Sequence, residues 1–175
     1  EQLLYLASTQ IDASRTMQYE DSVIDSLASL AKKTGFVSQN FSEATAQALA
    51  PLEPFAAYVI TQAIQRYGQN ERSLFSFLNA RGRNSLSEYE GKIYQLQCCY
   101  DYIYYNFYSY LKEANADSMQ WSSMQVAIER VEGQLWDTKT DLVDAIKLVK
   151  AIGLLNLFGN ASFKMNREDT ALYAK

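Results

Sequence analysis

The sequence has no histidine, and its two cysteines, Cys98 and Cys99, are neighbours. Without histidine the chain lacks the commonest metal ligand and the usual general base, which excludes the ordinary nucleophile–base pairings. Adjacent cysteines on a helix diverge by roughly a quarter turn and form no staple, so a disulfide-built secreted scaffold is excluded too. Glycine and proline are scarce, at seven and two, too few for a fold of many strands and tight turns. The most apolar stretch, Ile146 to Phe158, is interrupted by Lys147 and Lys150 and falls short of the roughly 18 residues a membrane span requires. No G-x-x-x-x-G-K-[ST], G-x-G-x-x-G or G-x-S-x-G occurs. Standard phosphate-cradling loops and the nucleophile elbow are therefore missing.

What is present is a globular composition. Apolar residues make up 48% and charged residues 21% of 175 positions, which fits one domain with a real core. The net charge is −4, a field that repels phosphate backbones and disfavours nucleic acid over the surface as a whole. Lys147, Lys150, Lys164 and Arg167 give local support for a nucleic-acid contact, but Asp141, Asp144, Glu168 and Asp169 offset them. The start, Glu1-Gln2-Leu3-Leu4, carries no basic leader and no initiator Met. It reads as an internal cut or a processed start, in a reducing cytoplasm.

Hydrophobic spacing predicts an all-α chain of about six to eight helices, arranged as an irregular bundle around a long aromatic central helix. A first helical face runs from Leu3 to Ala31, with a break allowed between Ser8 and Glu20, and stops at Gly35 behind Lys32 and Lys33. Ser42 is expected to cap Glu43 to Ala50, Pro54 to open a helix that ends at Gly68, and Asn70 to cap a short helix through Leu78. Ser85-x-x-Glu88 and Ser87-x-x-Glu90 read as capping boxes announcing the central helix, Glu88 to Leu111. Along it Ile93, Leu96, Tyr100, Ile103, Tyr104, Phe107 and Leu111 step by three and four. Asp117 is expected to cap a helix carrying Trp121, Met124, Ile128, Val131 and Leu135, with Gly133 able to shorten it. Asp137 or Thr138 should cap the last long helix, ending before Gly159. Residues 1–159 thus form the helical domain. Residues 160–175 form a C-terminal segment, the start of a truncated further module, with Asn166 placed to cap one more helix.

Chemistry-bearing groups are few. The aromatic run from Tyr100 to Tyr110 has the spacing of core, with Tyr102 and Tyr105 on the face opposite Tyr100 and Tyr104. Asp137/Asp141 and Asp141/Asp144 suit the start of a solvated helix better than a metal site. Between positions 66 and 83, Arg66, Arg72, Arg81 and Arg83 face a single acid, Glu71. Such guanidiniums around a short helix and a glycine loop suit a phosphate or carboxylate.

The run Pro54 to Leu78, above all Gln69-Asn70-Glu71-Arg72-Ser73-Leu74-Phe75, resembles a signature of large bacterial P-loop ATPases, some of them linked to phage defence. Tyr100-Asp101-Tyr102 with Asn106-Phe107, and Leu148 to Leu157, resemble the same group. The resemblance implies a helical region C-terminal to a nucleotide-binding core. Because the phosphate loop and the acidic magnesium-binding strand are absent, this chain alone holds no cofactor and hydrolyses nothing. ATP and magnesium would belong to the parent protein, and the partner would be its missing nucleotide-binding domain. The candidate phosphate contacts are Asn70, Arg72, Arg81 and Arg83. For Arg72 the alternative is a pinning ion pair with Glu71 or Asp101. Two functions stay open: a non-catalytic helical lid or coupling region of such an ATPase, or a free-standing helical protein-interaction module, with no membrane partner in either case.

Overall fold

The computed structural model describes Ala7 and residues 21–69, 71–79, 82–113 and 116–174. Among the described residues there are nine α-helices and no strand beyond an isolated parallel bridge between Leu52 and Tyr94. They are α1 (Asp21–Lys33), α2 (Glu43–Leu49), α3 (Pro54–Tyr67), α4 (Glu71–Asn79), α5 (Leu96–Asn106), α6 (Tyr108–Lys112), α7 (Ser118–Glu132), α8 (Lys139–Phe158) and α9 (Arg167–Tyr173). A 3-10 turn, Leu86–Glu88, lies between α4 and α5. The all-α reading holds, with more and shorter helices than the apolar spacing suggested.

Local chemistry explains most boundaries. The Ser42 hydroxyl accepts from the Thr45 amide at the head of α2, and the Thr138 hydroxyl accepts from the Asp141 amide at the head of α8, each satisfying an amide the helix leaves unpaired. Pro54 opens α3 without losing a needed N–H. Asn166 and Asp169 form a reciprocal capping box for α9. Gly35, at φ +71, ends α1 in the left-handed region, and a Cβ there would stand 2.6 Å from the Ser162 carbonyl oxygen.

The centre of the bundle is α3, with ten of its 14 residues buried, and α1, α2, α5 and α8 pack around it. The expected long central helix is not there. The capping boxes at Ser85 and Ser87 open no α-helix: the two hydroxyls lie 2.9 Å apart, and the chain passes through the 3-10 turn before going extended. Tyr94 then donates its amide to the Pro51 carbonyl at 2.8 Å and accepts from the Glu53 amide at 3.2 Å. These tertiary bonds hold residues 89–95 out of helix, so α5 begins only at Leu96. It stops at Asn106, whose side-chain amide donates to the Tyr102 carbonyl at 2.9 Å, the kind of local bond that competes with the helix ladder.

Two further expectations are corrected. Asp117 precedes α7, but its side chain does not cap the helix. It instead accepts from Tyr67 Oη at 2.7 Å and from Arg66 at 3.0 Å. Leu135 does not extend the α7 stripe; it lies past the Gly133 terminus and is fully exposed. The segment 160–174 folds back onto the body through a Lys33–Asp169 ion pair of 2.6 Å, a Lys164 amide bond to the Thr34 carbonyl, and Phe163 edge-on to Phe36.

Candidate functional site

Of the basic residues singled out in the sequence, the described Arg66 and Arg83 turn to different partners. Arg66 turns toward α7, pairs with Asp117 and lies 4.9 Å over the Phe158 ring. Arg83 stacks 3.7 Å over the Tyr105 ring on α5, a contact of the cation–π kind. Arg72 stands exposed in the first turn of α4. The pairing of Arg72 with Asp101 is not formed, because Asp101 accepts from Lys150 at 2.6 Å. Asn70 and Arg81 lie outside the described residues. Among the described residues no group of three or more Cys, Asp or Glu is placed to hold a metal ion. No helix there is long and apolar enough to cross a membrane.

The structure builds a concave site elsewhere. A groove of about 970 Å³ opens between the loop after α1, one face of α2, one face of α3 and the turn at 160–162. Its walls are set by aromatic packing beneath them. Phe36 is fully buried and meets Phe55, Tyr58 and Phe163 at centroid distances of 5.2, 5.0 and 5.0 Å. The rim is tied by Asn160, whose side-chain amide donates to the Gly35 carbonyl at 3.1 Å and whose side-chain oxygen accepts from the Ser162 amide at 2.7 Å. Gln39 donates to the Lys32 carbonyl at 3.3 Å and holds the loop against the end of α1.

None of the described lining residues is Asp, Glu, Lys or Arg, in a chain where charged residues are 21%. Along α3, Tyr58, Gln62 and Gln65 recur at intervals of four and three and face the groove together. Tyr58 and Gln62 are half-buried. On the opposite wall Ala44 and Ala48 of α2 leave a shallow apolar shelf. Chemically this is a neutral surface of amides, a phenol and small apolar side chains. It offers paired donors and acceptors without any group that titrates near neutrality, which suits binding rather than proton transfer. Sequence reasoning missed the groove, although one signal was visible: Gln62 sits in the stripe of α3 where an apolar residue would otherwise be expected.

Comparison with family models, curated proteins and solved structures finds no match to this chain.

Proposed function

We propose that this chain is a non-catalytic helical interaction module whose groove holds an uncharged segment of a partner polypeptide. The observation that carries this reading is the uncharged lining of the groove, with Gln62 and Gln65 presented from one helix face opposite an apolar shelf. A primary amide carries both a donor and an acceptor and so matches the peptide bond, while the aromatic and alanine surfaces take small apolar side chains. The test is binding of neutral and charged peptide sets to the purified chain, read by fluorescence polarisation at low and high salt. Neutral peptides should bind with little salt dependence, and Ala48→Trp, which fills the groove from an exposed position, should abolish binding without lowering Tm. Binding confined to charged peptides, or indifferent to Ala48→Trp, would overturn the reading.

A second reading is favoured by the outward face of α4. Phe75 is 57% exposed beside the exposed Arg72, a pairing of residue types enriched where proteins meet. Both lie in the stretch that resembles the P-loop ATPases. On this reading α4 docks against a nucleotide-binding core in the parent polypeptide, which alone holds ATP and magnesium, and the chain couples that core's movements to other parts. In the parent protein, Arg72→Ala should then lower ATP turnover ~10-fold or more with Tm unchanged. Unchanged turnover would leave α4 as an ordinary surface helix.

A further inference from the structure

Three segments that are far apart in sequence meet at one carboxyl group. Glu53 is fully buried at the head of α3; its Oε1 accepts from the Leu96 amide at 2.9 Å and from Tyr173 Oη at 2.5 Å. Its Oε2 is buried with no hydrogen-bond partner among the described residues. Among the described residues, the titratable groups whose fields couple to it are Tyr173 from α9, Cys98 and Cys99 from α5, and Tyr89 from the segment before α5. All four are neutral acids, and none is a cation. Burial pushes the Cys99 thiol and the Tyr173 phenol well up, so both keep their protons. Lys33, the cation that ties α9 to α1, is occupied by its pairing with Asp169. A buried carboxylate with one oxygen unsatisfied and no counter-cation is far costlier than the neutral acid.

We propose that Glu53 is a proton-operated latch for the C-terminal segment: as a neutral acid it holds residues 160–174 on the body, and on losing its proton to solvent it releases them. The element that can yield is α9. It is seven residues long and covers Glu53 through Tyr173, whose ring also meets Phe55 edge-on at 5.4 Å. Tyr173 Oη sits on Oε1 of the same carboxyl, so moving α9 aside uncovers that group, whereas Leu96 is fully buried at the head of α5. Desolvation raises the carboxyl's titration to about 8, and the bonds from Tyr173 and Leu96 partly oppose that rise. Segment opening exposes the acid and returns it toward its ordinary value of 4.5, so opening gains about tenfold per pH unit between those limits. Because residues 160–162 wall the groove, release would also dismantle one side of it. That consequence rests on the binding reading, whereas the latch does not.

The test uses the whole chain. The Glu53 carboxyl carbon is followed by NMR against pH, and amide exchange across 160–174 is measured at about pH 5.5 and about pH 7.5 and corrected for intrinsic rate. The latch requires titration near 8 and a loss of protection of ~100-fold across those two units. In E53Q, which keeps an acceptor for Leu96 and Tyr173 but cannot ionise, protection should not vary with pH. In Tyr173→Phe the titration should move further up, since a donor to the charged form is gone. Titration below pH 5 in the wild-type chain, or equal protection of the segment at both pH values, would overturn the proposal even if E53Q does not fold.

Discussion

Helices α3 and α8 are both rich in apolar residues, yet they have opposite fates. In α3 nearly every face is covered, because α1, α2, α5 and α8 all pack against it. In α8 the buried residues, Ala151, Leu154, Leu155 and Phe158, all belong to its second half. In the first half no residue is fully buried, and Val143 remains 49% exposed. Apolar content alone therefore does not decide burial. What decides it is how many neighbours the chain's connections bring alongside.

The comparison can be broken most severely at the interface between the body and its aromatic cluster. Ile103 is fully buried on α5, the helix that packs against α3 and α8, so Ile103→Asp should cost ~3 kcal/mol or more by leaving a carboxylate unpaired in the core. Urea denaturation measures this, and a loss below ~1 kcal/mol would show the cluster to be open to water. Within α8, Leu154→Ala should cost about 2–4 kcal/mol through the cavity it leaves. The pH dependence sharpens the same contrast at the head of α3. Glu53 ionises near 4.5 when unfolded and near 8 when folded. Its contribution is therefore fully present at or below the unfolded value, is lost at roughly 1.4 kcal/mol per pH unit as pH rises toward 8, and is flat above. The difference in urea stability between wild type and Glu53→Gln isolates that slope, and a difference that did not change with pH would refute it. The smallest effect is expected at Val143→Ser, within about 0.5 kcal/mol. If it matched Leu154→Ala, the first half of α8 would be buried in solution by a second molecule.

Much of this architecture was legible in advance. Ser42, Pro54, Thr138, Gly35, Gly159 and Asn166 mark ends that depend on neighbours a few residues away, and those boundaries stand where the sequence placed them. The residues before Leu96 were misread because their conformation is decided by partners about 40 positions earlier. The Tyr94 amide goes to Pro51, and the Leu96 amide goes to Glu53. No local pattern can outvote bonds of that range. The groove was hidden for the same reason, since its walls come from three separated segments. Glu53 was hidden because a carboxylate between two proline turns has the composition of an exposed loop. Of the arginine cluster, the sequence could say that guanidiniums were plentiful, but not that Arg66 and Arg83 would turn to different helices.

Where α7 and α8 cross, the sulfur of Met124 sits against Gly153 so closely that even a Cβ would collide with it. A thioether in that position makes the hairpin sensitive to oxidants. Adding one oxygen to Met124 would place a polar, larger group in a contact that has no room for a methyl, and the side chain would have to give up its seat against Gly153. Met119, 78% exposed on the same helix, would react first and without structural consequence. Damage by peroxide should therefore arrive in two stages, a silent one at the surface and a disruptive one that waits for the hairpin to breathe.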